Sequence, residues 1–90
     1  MNVAAEIRGR LSALEPTSLE VLDESEKHIG HAGYKPGGQT HWSLTIVSAR
    51  FSGQPTVARH RMVYQALGAL MHNPIHALAI QARAPEELKK

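Results

Sequence analysis

The sequence predicts an α+β domain of element order α-β-β-α-β-α, in which a three-stranded mixed sheet carries helices packed on one face. Three observations lead to this class. Segments 4–14 and 56–71 repeat apolar residues every three or four positions, as amphipathic helices do. Segments 18–23, 40–48 and 75–82 are short, rich in apolar residues and bounded by turn formers, as strands are. Both helical stripes need an apolar surface to cover them, and one face of a sheet supplies it. A chain of 90 residues has room for one modest core, so 1–90 reads as a single domain.

Each element has its own local signal. Val3, Ile7, Leu11 and Leu14 line one side of the first helix, with Glu6, Arg8 and Arg10 between them, and Pro16 stops it. Ser18–Asp23 alternates around Leu19 and Val21. The stretch that follows, ESEKHIGHAGYKPGGQ, has four glycines, a proline and no apolar period, and is predicted to be a loop that is the least ordered internal segment, of a length that is often functional. In Thr40–Ser48, Trp42, Leu44 and Ile46 face one way, with His41, Ser43 and Thr45 opposite, and His41 is expected to lie at the surface or to support a site residue. Phe51–Pro55 reads as a turn, with Pro55 suited to the start of the second helix. Val63, Ala66, Leu67, Leu70 and Met71 form that helix's stripe, and Asn73-Pro74 ends it. Ile75–Ala82 is the third strand, and Pro85–Leu88 opens a short terminal helix. The first two strands are expected to pair antiparallel. The third follows a helix and is expected to run parallel to a neighbour. Trp42, Leu44, Ile46, Val63, Leu67, Leu70, Leu78 and Ile80 are the expected core.

Composition narrows the chemistry. There is no cysteine, hence no disulfide, no thiolate nucleophile and no thiolate metal site, which fits a reducing compartment; a cytoplasmic location is expected. No apolar run is long enough for a bilayer, so no membrane association is expected, and the N-terminus reads as a mature amphipathic helix rather than a leader. Net charge is +2, too weak a bias for a dedicated nucleic-acid binder. Six histidines stand out, because their joint protonation changes the charge strongly between about pH 5 and 8. Nothing resembles a nucleophile–base–orienter set, a phosphate loop or a dinucleotide fingerprint, so no enzymatic activity is expected.

Several residues invite two readings. His76, in phase with Leu78 and Ile80, is either a half-buried strand histidine or a metal ligand at the strand's start. His28 and His31 are either solvated loop residues or a source of imidazole ligands. Arg59, His60 and Arg61 open the second helix. They form either a solvated helix face or an anion or nucleic-acid contact, since arginines near free helical N–H groups suit phosphate. Gly30-His31-Ala32-Gly33 matches the GxxG of K-homology domains but lies between two strands, where that motif has no role, and the sheet lacks paired stacking aromatics. His72, closing the second helix, favours the helix dipole.

Four segments in this order and spacing, LEVLDES at 19–25, THWSLTIVSARFSG at 40–53, RHRMVY at 59–64 and IHALAIQA at 75–82, resemble the BolA family over nearly the whole chain. The resemblance implies a fold like the class II K-homology domain. It implies partnership with a monothiol glutaredoxin, with which family members share a 2Fe–2S cluster, in cluster assembly, delivery or iron regulation. It also offers an alternative role as a DNA-binding regulator of stress response or morphology, using helix 56–71. His76 matches the family's C-terminal cluster histidine. His28, at the family's usual distance after Asp23-Glu24-Ser25, is the first choice for the loop ligand, and His31 the second. The chain departs from the family in a longer first loop that holds two histidines, and in a terminal helix without tryptophan. A 2Fe–2S cluster needs four ligands, mostly sulfur. With no cysteine here, a glutaredoxin cysteine and glutathione must bring the sulfur, and the isolated chain, expected to be a monomer or weak dimer, should hold no cluster alone.

Overall fold

The computed structural model describes residues 3–24, 41–72, 75 and 77–88. Its elements are helix α1 (Val3–Leu11), strands β1 (Ser18–Asp23) and β2 (His41–Val47), helix α2 (Thr56–Leu67) and strand β3 (Ala77–Arg83), with 3₁₀ turns at Ser12–Leu14, Ala49–Phe51, Gly68–Met71 and Pro85–Leu88. The fold class is the predicted one, and so is the order of the first five elements; the expected terminal α-helix is instead a 3₁₀ turn, and the helices expected over 4–14 and 56–71 pass into 3₁₀ turns after Leu11 and Leu67. The expected disorder of 25–39 lies outside the described residues.

The sheet has the order β1-β2-β3. β1 pairs antiparallel with β2, setting Leu19 beside Ile46 and Val21 beside Leu44. β3 pairs parallel with β2, setting Trp42 beside Leu78, Leu44 beside Ile80 and Ile46 beside Ala82. Because strand side chains alternate with period two, these residues all emerge on one face. The two helices cover that face. Val3, Ile7 and Leu11 of α1 and Val63 and Leu67 of α2, at helical spacing, join Trp42, Leu44 and Ile46 in one core. The opposite face presents Glu20 and Leu22 of β1, Ser43 and Thr45 of β2, and Ala77, Ala79 and Gln81 of β3.

Three expectations about packing need correction. Leu78 and Ile80 are only partly buried, because β3 is an edge strand and the centre belongs to β2. Phe51, read as a turn residue, is fully buried in the core. His41, expected at the surface or in support of a site residue, is buried at 6% exposure, since it opens the central strand. The third strand begins at Ala77 rather than Ile75. Ile75 is instead buried, and its N–H donates to the Leu70 carbonyl at 3.1 Å, which keeps the chain folded back on the end of the helical region.

At the base of the sheet, Ser48 is buried and ties three segments together. Its hydroxyl donates to the Leu14 carbonyl at 2.6 Å and accepts from Arg50 N–H at 3.1 Å, while its own N–H donates to the Arg83 carbonyl at 3.0 Å. Gly68, where α2 gives way to a 3₁₀ turn, has φ 56° and ψ −127°, a conformation that side chains disfavour. Its missing Cβ also leaves room for Arg10, whose guanidinium donates to the Leu67 carbonyl at 3.3 Å.

Truncating Leu67, which is fully buried between helix and sheet, should show how far the core depends on α2. Leu67→Ala should lower the unfolding free energy by about 2–5 kcal/mol in a urea titration. A change within roughly 0.5 kcal/mol, the range of ordinary surface substitutions, would mean that another face of α2 is buried.

Candidate functional site

A parallel pair starts at the same end of a sheet, and an antiparallel neighbour finishes there. The first residues of β2 and β3, His41 and Ala77, are therefore register partners. Beside them the chain leaves β1 at Glu24, whose N–H donates to the His41 carbonyl at 2.8 Å. With strands about 4.8 Å apart, Glu24, His41 and Ala77 form a row roughly 10 Å wide across this end. A cleft of about 280 Å³ opens there, lined by Glu24, His41, Trp42, Ala77, Leu78 and Ala79. Among the described residues, its lining is mostly apolar, and Glu24 is its carboxylate. The indole N–H of Trp42 is buried and has no acceptor among the described residues.

His28, His31 and His76, the candidate cluster ligands, lie outside the described residues. Their neighbours in sequence do not. Glu24 and His41 flank the segment that contains His28 and His31, Ala77 directly follows His76, and all three line the cleft. Among the described residues, no three His, Asp or Glu side chains are grouped to hold a metal ion. His41, expected at the surface or in support of a site residue, lines the cleft. Its position as the first residue after a glycine-rich loop was the signal available.

The candidate nucleic-acid residues separate. Arg59, read as part of a solvated face or an anion contact, is buried at 8% exposure and committed inside the protein. Its Nε donates to the Gln54 carbonyl at 2.8 Å, and Nη1 to the Ala82 carbonyl at 3.0 Å. Nη1 and Nη2 also grip Glu87 in a forked pair at 2.6 and 2.7 Å. Glu87 Oε1 further accepts the Ala84 N–H at 2.8 Å. One guanidinium thus joins the start of α2, the end of β3 and the terminal 3₁₀ turn. The hydrogen bond from Arg59, then that from Ala84, hold the Glu87 carboxyl down from 4.5 to about 2, against the opposing effect of burial. The same hydrogen bond raises the Arg59 pKa further. Arg61 remains exposed, and His60 is half-buried with its ring edge-on to Tyr64 at 6.4 Å. His72 is exposed just after the turn that follows α2.

Comparison with known proteins gives a consistent result. The sequence profile for BolA-like proteins matches residues 11–87. BolA-like protein 1 of Bos taurus is 46% identical over 89 residues, covering 98% of this chain and 63% of the relative. The chain therefore spans under two thirds of that protein's length. The DNA-binding transcriptional regulator BolA of Vibrio cholerae is 41% identical over 73 residues, covering 81% of this chain and 65% of the relative. Among solved structures, the BolA domain of SufE1 from Arabidopsis thaliana superposes with a TM-score of 0.83 at 40% identity, covering 97% of this chain and 96% of that one. No helix among the described residues is long and apolar enough to cross a membrane.

The Arg59–Glu87 pair makes a pH prediction. A carboxylate whose pKa falls on folding stabilises the fold above its unfolded value of 4.5, and that stability is lost as pH drops towards about 2. Glu87→Gln should therefore melt below wild type at neutral pH, and the gap should narrow as pH falls through that window. Superimposable melting-temperature profiles of the two proteins would show that the pair contributes nothing.

Proposed function

Since this chain belongs to the BolA family, we propose that it works by binding, as the partner of a monothiol glutaredoxin with which it shares a 2Fe–2S cluster in cluster assembly, delivery or iron regulation. The observation that carries this reading is the convergence of strand ends. Glu24, His41 and Ala77, the described neighbours of the candidate ligand segments, line one cleft. The donor chemistry fits. His76 and one of His28 or His31 supply two imidazoles, and two histidines on one iron are chemically sound. A glutaredoxin cysteine and the thiol of glutathione supply the remaining two ligands. The cluster itself is cargo, and this chain's part is to hold it at the junction with the partner. A cytoplasmic site of action fits a cysteine-free chain, although some relatives carry chloroplastic or mitochondrial names.

The second reading, DNA-binding regulation through helix 56–71, has the name of the Vibrio cholerae relative behind it. The local geometry gives it less support. Arg59 is spent on Glu87, so only Arg61 and His60 of the run remain to meet phosphate, on a chain of net charge +2. Raising the salt concentration separates specific DNA binding, which keeps a sequence preference, from simple charge attraction, which vanishes.

Mixing the protein with a monothiol glutaredoxin, iron, sulfide and glutathione should produce a visible circular dichroism spectrum that the isolated chain does not give. His76→Ala should abolish or weaken that spectrum and leave thermal unfolding unchanged, because no thiolate in this chain can replace the lost imidazole. Single His28→Ala and His31→Ala changes should have smaller effects, and the double change should resemble His76→Ala. A wild-type spectrum from His76→Ala would remove it from the ligand set. Loss of the fold instead would make it a structural histidine.

A further inference from the structure

The terminal 3₁₀ turn Pro85–Leu88 buries no side chain, and Leu88 is 59% exposed. The described hydrogen bonds that tie this turn to α2 and to the segment before it run through two carboxylates. Glu86 Oε1 accepts from the Ser52 hydroxyl at 3.1 Å, an exposed contact. Glu87 sits in the Arg59 fork at 2.6 and 2.7 Å and accepts the Ala84 N–H at 2.8 Å. The guanidinium does not depend on Glu87 for its position. Its Nε donates to the Gln54 carbonyl at 2.8 Å and Nη1 to the Ala82 carbonyl at 3.0 Å, and the residue is buried. Two backbone carbonyls thus turn the Nη1–Nη2 edge towards the place where the Glu87 carboxylate lies. Three N–H groups, two from Arg59 and one from Ala84, converge there.

We infer that the Arg59 fork and the Ala84 N–H form a binding site for a phosphate group, which Glu87 fills from within the chain, so that the terminal turn is a releasable cover over it. A planar guanidinium takes carboxylate and phosphate in the same two-pronged way, so a site that holds one oxyanion has the geometry for the other. Charge decides between them. Arg83 as well as Arg59 draws negative charge to the position of Glu87, and Glu86 acts on Arg59. When the turn lifts, Glu86 and Glu87 leave together while both arginines stay, a balance that favours a doubly charged phosphate over a single carboxylate. Arg59 lies in the first turn of α2, whose N-cap, Pro55, gives no side-chain hydrogen bond to the helix start. The partial positive charge of that helix end adds to the same preference. The site is at the opposite end of the sheet from the cleft, so the inference stands apart from the glutaredoxin partnership proposed above.

The test uses inorganic phosphate as the probe, against sodium chloride of equal ionic strength and against acetate. Glu87→Ala vacates the site. Its melting temperature should rise by roughly 4 °C or more in phosphate at concentrations that move wild type by less than about 1 °C. Acetate should raise it less. Adding Arg59→Lys to Glu87→Ala should abolish the rise, because an ammonium cannot reproduce the fork. In wild type, at phosphate concentrations well above those that saturate Glu87→Ala, the NMR signals of the Arg59 Nε–H and the Ala84 amide should move towards their positions in phosphate-bound Glu87→Ala. Exchange of the Glu87 N–H, which donates to the Ala84 carbonyl at 3.0 Å, should quicken as the turn lifts. This wild-type measurement decides the matter even if Glu87→Ala fails to fold. A phosphate response in Glu87→Ala no larger than that of wild type would overturn the site. An equal or larger response to acetate would make the socket one for carboxylates and overturn the phosphate assignment. Arg59 and Ala84 signals that stay in place in wild type would make the turn a permanent closure and overturn its role as a cover.

Discussion

The parallel pairing of β2 with β3 is the constraint on which the rest of the molecule depends. Two parallel neighbours cannot be joined by a tight turn, so the chain must travel back along the sheet before β3 begins. Here α2 makes that journey, and in doing so it lays Val63 and Leu67 across the apolar face and closes the core. The same pairing sets His41 and Ala77 side by side. Antiparallel β1 then has to finish at that same end. Core and cleft are two products of one topological choice, and a register shift of one residue between β2 and β3 would damage both.

Much of the fold was legible because its signals are periodic. Apolar spacing of three and four marked both helices, and alternation around Leu19, Val21, Leu44 and Ile46 marked the first two strands and the face they share. Proline and glycine punctuation located the breaks. What periodicity does not reveal is rank within the sheet. Leu78 and Ile80 have the same alternation as Leu44 and Ile46, yet β3 lies at an edge and β2 at the centre, so their burial differs. The burial of His41 went unread for the related reason that alternation distinguishes two faces of a strand and does not report which strand is flanked on both sides. Phe51 was passed over because a short 3₁₀ turn has no period to detect.

The site was legible in a different way. The absence of cysteine narrows the ligand chemistry only once the family resemblance has suggested a cluster, and His28, His31 and His76 lie outside the described residues, while their neighbours Glu24, His41 and Ala77 meet at one cleft. Arg59 was the harder case. Its sequence context, a basic run at a helix start, is that of a surface cation. Its partner Glu87 lies 28 residues away, in a segment whose acidic pair offered no hint of pairing. Long-range ion pairs leave no local pattern, and only the folded geometry distinguishes a cation that reaches outward from one that fastens the interior.

The fastenings described above gather at one end of the sheet. Ser48 bonds to Leu14 and Arg83, Thr17 N–H donates to the Val47 carbonyl at 2.8 Å, and Arg59 clasps Ala82 and Glu87, all where β1 begins and β2 and β3 finish. Arg50 reaches Glu15 at the same end, as an exposed pair of small energetic weight. The cleft occupies the other end. Such a division separates what evolution must preserve from what it is free to vary. Substitutions of exposed residues at the cleft end leave untouched the hydrogen bonds of Ser48 and Arg59 that hold the described residues together at the other end. A scaffold built this way offers a wide mutational allowance for changing partners while its architecture stays constant.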